Sequence, residues 1–252
     1  MHPVIHFLGY SFSSYTLINH ILGLLIPGAL YLVFLRQYSR KRGIEINWFR
    51  LITGLVVIII TGRYFARGIF ELMYTGNLGS LSGYRLGEGS IMFGGFLGVA
   101  VSVGLITHLR KRNTLFWLDV TSIWLAFAIG IRKIGCFLTG CCRGTETVLP
   151  WGVVFPGSTV PVHPLQLYES IFGFAMAVYL WRRFMCRDVP AGSGFFLFFS
   201  LFSLLRLVTL PIREIPANAN FVALGPIAFL VLAVAAGAVY LRLTKGCVRR
   251  DQ

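Results

Sequence analysis

Eight basic side chains stand where a hydrophobic chain has little use for them: Arg63, Arg67, Arg85, Arg132, Lys133, Arg143, Arg206 and Arg213. Arg63 and Arg206 lie inside apolar runs, where an unpaired charge costs roughly 2.5–3.5 kcal/mol on insertion scales. Pairing with Glu71, Glu88, Glu146, Glu169 or Glu214 is one explanation, and snorkelling to an interface is another. As a group they point to an anionic ligand, because a guanidinium grips phosphate through a rigid two-pronged fork. The phosphate most abundant beside a membrane is that of phospholipid, so the group reads as a lipid headgroup pocket.

Three further segments carry chemistry. In His163-Pro-Leu-Gln-Leu-Tyr-Glu169 a loop enters a helix, and Pro164 suits its first turn. His163, Gln166, Tyr168 and Glu169 then place polar groups on that turn. A neutral histidine there can serve as a general base, or it helps cap a helix end. In Arg132-Lys-Ile-Gly-Cys-Phe-Leu-Thr-Gly-Cys-Cys-Arg-Gly144, three cysteines sit among Arg132, Lys133 and Arg143. Their spacing is not a zinc pattern, so no metal is assigned; structural packing and a disulfide both remain open. Gly94-Gly95 lets backbones approach each other or a ligand closely.

The elements that must hold these residues follow from hydropathy. The chain has 252 residues, 56% hydrophobic and 13% charged, against about 25% charged in an ordinary soluble domain. Apolar runs near 16–35, 51–66, 91–109, 115–131, 166–181, 195–211 and 222–241 recur along the chain as candidate bilayer-crossing helices, the second and fourth short or interrupted by glycine and arginine. The expected fold is therefore all-α: a polytopic integral membrane protein with about seven transmembrane helices. Residues 1–252 form a single transmembrane domain with a polar loop over 132–165, and 16–35 is a permanent span because no cleavage site follows it.

Charge sets the orientation. Arg36, Arg40, Lys41, Arg42 and Arg50 lie in the first connection, Arg110, Lys111 and Arg112 in the third, and Arg182, Arg183 and Arg187 in the fifth. With Arg242, Lys245, Arg249 and Arg250 of the C-terminal tail, these are 15 of the 23 basic residues. Their face is expected to be cytoplasmic, with the N-terminus outside and the C-terminus inside. This accounts for much of the net charge of +14 and removes nucleic acid as the expected partner. Small-solute transport is disfavoured too, because the remaining charges gather toward one face and not at the midplane.

The order Gly62-Arg63, Gly94-Gly95, Arg132-Lys133-Ile134-Gly135-Cys136-Phe137 and His163-Pro-Leu-Gln-Leu-Tyr-Glu169, followed by Arg206 and Arg213, resembles the prolipoprotein diacylglyceryl transferases. The resemblance covers nearly the whole chain. It implies a multi-pass enzyme of the bacterial inner membrane, acting in lipoprotein biosynthesis without metal or organic cofactor. Such an enzyme moves the diacylglyceryl group of phosphatidylglycerol to the lipobox cysteine of a prolipoprotein, held through its signal peptide, and releases glycerol 1-phosphate. Carried over residue by residue, it assigns catalysis to His163, Arg206, Lys133 and Tyr15. Substrate binding falls to Arg63, Arg132, Arg143, Gly94, Gly95, Gln166, Tyr168, Glu169 and Arg213. This chain departs from the family at Phe93, where a histidine precedes the paired glycines. It departs again at Cys136, in place of asparagine, and at Thr139 and Cys141, where later polar residues stand. Leu210 replaces a glutamate between the two late arginines, and Lys133 or a shifted Arg132 serves for the loop arginine. These changes keep two alternatives in view: the same donor with a lipid or sugar acceptor, or a non-catalytic phospholipid-binding protein.

Overall fold

The computed structural model describes residues 4–7, 10–13, 23–43, 45, 47–74, 92–156, 158–186, 189–214 and 224–248. Among the described residues seven helices follow one another: α1 (Gly23–Arg42), α2 (Trp48–Tyr74), α3 (Met92–Leu109), α4 (Thr114–Thr139), α5 (Leu165–Cys186), α6 (Ser193–Thr209) and α7 (Leu224–Val248). Each overlaps one hydropathy run, residues 16–22 of the first and 222–223 of the last lying outside the described residues. Ahead of them stands an antiparallel hairpin, β1 (Val4–Phe7) and β2 (Tyr10–Ser13), pairing Val4 with Ser13 and Phe7 with Tyr10. Hydropathy over long windows does not register so short an element, so the all-helical expectation needs this addition.

Two boundaries differ from the hydropathy reading in ways that matter for the site. Helix α2 runs on past residue 66, so Arg67 and Glu71 share a helical face and pair one turn apart. Helix α4 runs to Thr139 and ends on Gly140, whose φ of 74° is the left-handed conformation of a helix C-cap. Arg132 to Thr139 are therefore helical, and the loop that follows begins at Gly140. The reason is that Lys133, which reads as the end of an apolar run, is neutralised within the fold.

Helix α4 is the central strut. From Leu118 to Ile131 every residue is buried; α1, α3, α5 and α6 all pack on it, while α2–α3, α4–α5 and α6–α7 pair as neighbours. Phe96 of α3 meets Phe198 and Phe202 of α6 edge to face, and Phe34 of α1 meets Trp181 of α5 in the same way. At the other extreme, Phe49, Ile171 and Val208 are 78%, 68% and 68% exposed. Trp48–Leu72 and Thr114–Thr139 are, among the described residues, long and apolar enough to cross a membrane. An apolar helix with so little of its surface buried as α2 needs an apolar solvent outside, which a bilayer supplies.

Close contacts set the helix positions. A Cβ on Gly173 of α5 would lie 2.6 Å from the backbone nitrogen of Gly130 and 2.9 Å from the carbonyl oxygen of Ala126. Ser170 donates to the Gly130 carbonyl at 2.8 Å across the same crossing. Small residues allow such backbone contact between membrane helices. Gly173→Ala should therefore force α4 and α5 apart and cost about 1–3 kcal/mol; a thermal melt of the detergent-solubilised protein followed by size exclusion checks this. At the other end of α4, the buried Asp119 accepts from Gly192 N–H at 2.6 Å and Phe195 N–H at 2.7 Å, capping α6 from outside. These two locks orient α5 and α6, the helices that carry Glu169 and Arg206.

Candidate functional site

Glu169, in the first turns of α5, has no solvent exposure, and three cations from three parts of the chain converge on it. Lys133 of α4 forms an ion pair with its carboxylate. Arg206, near the end of α6, lies 3.0 Å from Oε1, and Arg213, just beyond α6, pairs with the same oxygen. A lone buried carboxylate would be costly, as would three unpaired cations; together they hold one another in place. One carboxylate against three cations leaves a surplus of two positive charges. Arg206 also lies 5.5 Å from the centroid of the buried Phe229 ring of α7, which supports its flat guanidinium from one side.

The loop after α4 delivers the remaining polar groups. Gly144 N–H donates to the His163 carbonyl at 2.9 Å, His163 N–H to the Thr145 carbonyl at 3.0 Å, and Thr145 N–H to the Ile212 carbonyl at 2.9 Å. The stretch 143–145 is thus laced between the residue that opens α5 and the turn that follows α6. A Cβ at Gly144 would stand 2.6 Å from both the His163 Cβ and the Ile212 oxygen, so glycine alone permits this approach. Arg143 pairs with Glu214 at 2.7 Å on the partly exposed rim. His163 Nδ1 lies 3.4 Å from the Tyr168 hydroxyl, which accepts from Trp151 Nε1 at 2.9 Å. Gln166 is fully buried and donates through Nε2 to the Cys141 carbonyl at 2.6 Å. Its Oε1 has no partner among the described residues, leaving an open acceptor beside the cation cluster.

The cysteines complete the site in a way their linear spacing does not reveal. The left-handed turn at Gly140, followed by Cys142 at φ 58°, folds the chain back so that the Cys136, Cys141 and Cys142 sulfurs all lie within 4.8 Å of one another. All three are free thiols. Cys136 is buried and Cys142 is exposed. The two neighbouring thiols donate toward Cys142 and, with the charges of Lys133 and Arg213, hold its pKa below the ordinary thiol range. Thiolates are the reactive form, so limiting iodoacetamide should label Cys142 well ahead of Cys136, as read by peptide mass spectrometry.

Of the residues expected from sequence, Lys133, Glu169, Arg206 and Arg213 touch directly, with Gln166, Tyr168, His163 and Arg143 attached through the loop. Arg132 is partly buried and sits about 100° around α4 from Lys133. Arg63 is partly buried on α2, one turn before Arg67. Arg67 pairs with Glu71 and lies 5.3 Å from the Phe70 ring; these residues are carried by α2, which pairs with α3. Gly94 and Gly95 face α2: a Cβ on Gly94 would be 2.7 Å from the Phe65 carbonyl oxygen and 2.9 Å from Ala66 Cα. Tyr15, Arg85 and Glu88 lie outside the described residues. Sequence reasoning missed Glu169 as the hub, although an acidic residue among three stray cations was its signal.

These features define a helical membrane protein with three cations gathered on one buried carboxylate. The model of the family described as prolipoprotein diacylglyceryl transferase matches residues 3–242, and the chain belongs to that family. A phosphatidylglycerol–prolipoprotein diacylglyceryl transferase of Clostridium tetani is 35% identical over 137 residues, covering 52% of this chain and 54% of that one. A second, from Clostridium perfringens, is 37% identical over 99 residues, 37% of this chain and 39% of the relative. A third, from Cupriavidus pinatubonensis, is 31% identical over 198 residues, 61% and 70% of the two chains. The match thus spans about half the length of the first of these relatives and less of the second.

Proposed function

We propose that this chain is a transferase that moves the diacylglyceryl group of phosphatidylglycerol to the lipobox cysteine of a prolipoprotein, releasing glycerol 1-phosphate. The observation that carries the reading is the Glu169 cluster, whose surplus of two positive charges suits one phosphodiester. In the reaction the acceptor sulfur forms a bond to the terminal glyceryl carbon of the diacylglycerol. The bond from that carbon to the phosphate oxygen breaks, and the electron pair leaves with glycerol 1-phosphate. Arg206 and Arg213 hold the phosphate and stabilise the added charge on the leaving group, while Lys133 adds to the field and Glu169 fixes all three. His163, with Tyr168 beside it, takes the thiol proton. Gln166 offers its open acceptor to a donor on either substrate. Arg63 and Arg132 extend the positive lining toward the lipid, and Arg143 guards the rim. Tyr15 completes the binding surface in this reading, and Gly94-Gly95 of α3 set the close spacing of α2 beside it.

The seven helices span the bilayer of the bacterial inner membrane, with the N-terminus outside and the basic connections in the cytoplasm. That orientation sets the cation cluster at the outer face, where prolipoprotein signal peptides emerge. Residues 1–252 act as one transmembrane domain. The test is glycerol phosphate release by the purified protein in micelles with phosphatidylglycerol and a lipobox peptide. Release that requires the peptide cysteine is the expected result; no release, with phospholipid still bound, would remove the reading.

A second reading keeps the donor and replaces the acceptor by a lipid or sugar hydroxyl. It rests on Phe93, which stands where the resemblance places a histidine. Accumulation of a new glycerolipid in cells, with lipobox peptides unmodified, would favour it.

A further inference from the structure

The basic end of the helices, opposite Glu169, holds a second ligand-sized space. A cavity of about 720 Å³ opens between the end of α1, the start of α2, the end of α3 and the start of α4. Small-molecule sites commonly measure about 300–1,000 Å³. Its mouth carries Arg50, Arg110 and Arg112 against a single carboxylate, Glu45, so it too holds a surplus of two positive charges. Arg110 is directed across the gap by donating to the Arg50 carbonyl at 2.9 Å. The long helices α2 and α4 begin here behind Asn47 and Asn113, each accepting a backbone N–H of its own first turn, so two positive helix ends add to the field.

The interior is different in kind. Leu35, Leu55, Ile58, Val103 and Phe116 form an apolar wall, and Trp124 of the central helix lines it too. Trp124 is 5% exposed, and its indole N–H is buried without a hydrogen-bond partner among the described residues. Such a donor ordinarily finds a partner when buried. The hydroxyl of Tyr31 beside it is already engaged by Thr121. A free phosphate ion would satisfy the mouth and leave the apolar wall empty. A hydrocarbon would fill the wall and leave three guanidiniums unmet. An amphiphile satisfies both.

We propose that this cavity binds an anionic phospholipid. Its phosphate sits among Arg50, Arg110 and Arg112, and one acyl chain runs along the Leu55–Ile58–Val103 wall toward Trp124. The site lies on different helices from the Glu169 cluster apart from α4, and does not depend on the transferase reading.

Because Trp117 and Trp124 both line the cavity, the experiment is fluorescence quenching in micelles by phospholipids brominated on the acyl chains. It is run on the full chain and on Arg206→Ala, which disables the other phosphate site. Brominated phosphatidylglycerol should quench saturably in both backgrounds, at lipid fractions where brominated phosphatidylcholine does not. Arg110→Gln with Arg112→Gln should raise the half-saturating fraction about tenfold, and Trp124→Phe should remove most of the saturable signal. Ile58→Phe, which narrows the wall without touching charge, should weaken binding in a protein that still elutes as a single species. Equal quenching by the two lipids, or indifference to the arginine pair, would overturn the proposal. Displacement of the brominated lipid by millimolar inorganic phosphate or glycerol phosphate would overturn it as well, assigning the site to a soluble phosphate. Disappearance of the signal in Arg206→Ala would assign the lipid to the Glu169 site alone.

Discussion

Glu169→Gln is expected to be the most damaging single substitution in this protein, lowering stability by about 3–5 kcal/mol and abolishing transfer. The carboxylate is fully buried and is the shared partner of Lys133, Arg206 and Arg213. Glutamine has nearly the same shape, so the loss is one of charge and not of volume. It strands three cations that neither water nor another acid relieves, and removing one partner of a buried ion pair typically costs that much. For a chain of this size the penalty appears as a fall of roughly 10 °C in the melting temperature. Adding Lys133→Gln should recover part of the stability, since one stranded cation is gone, and none of the activity. A thermal shift assay beside the glycerol phosphate assay reads both. An unchanged melting temperature in Glu169→Gln would show that the cluster is not the structural hub described above.

Most of the helical plan is legible in the sequence because long apolar runs are a strong signal, and among the described residues each run overlaps a helix. What escapes depends on contacts between residues far apart in the chain. Hydropathy ends the fourth run at Ile131, because Arg132 and Lys133 look like the edge of a membrane span. The helix continues to Thr139 because Glu169, 36 positions on, neutralises Lys133. The three cysteines carry no recognisable metal spacing, and only the left-handed turn at Gly140 shows that their sulfurs meet. Gly130 and Gly173 look like ordinary membrane glycines until the crossing of α4 and α5 gives them a role.

The site itself was legible by motif more than by physics. His163 to Glu169 carries the family resemblance, and the surplus of cations suggested a phosphate. Nothing local identifies Glu169 as the residue that gathers them. The pairing explanation and the ligand explanation, set against each other for single residues, both apply to the group. Arg67, Lys133, Arg143, Arg206 and Arg213 each have an acidic partner. Yet three of them share one carboxylate, so the pairing leaves charge to spare. The same imbalance at the cavity bounded by Arg50, Arg110 and Arg112 is invisible to the positive-inside rule, which counts those residues and asks nothing further of them.

Arg206→Ala should separate binding from scaffolding at this site, with transfer falling by a factor of about 10²–10³ while the fold survives. Removing it leaves Glu169 still paired with Lys133 and Arg213, so no buried carboxylate is orphaned and the stability cost stays well below that of Glu169→Gln. What is lost is the guanidinium that lies 3.0 Å from Glu169 and 5.5 Å from the centroid of the Phe229 ring, a placement suited to a phosphate oxygen. Arg206→Lys should restore little, because an ammonium cannot bridge two oxygens from one fixed plane or lie flat on the ring. If Arg206 only balances Glu169, the lysine variant should work nearly as well as the parent, since the charge is unchanged. The comparison of alanine with lysine at position 206, read as glycerol phosphate release against phosphatidylglycerol concentration, therefore decides whether the surplus charge of the cluster is spent on a phosphate or only on the fold.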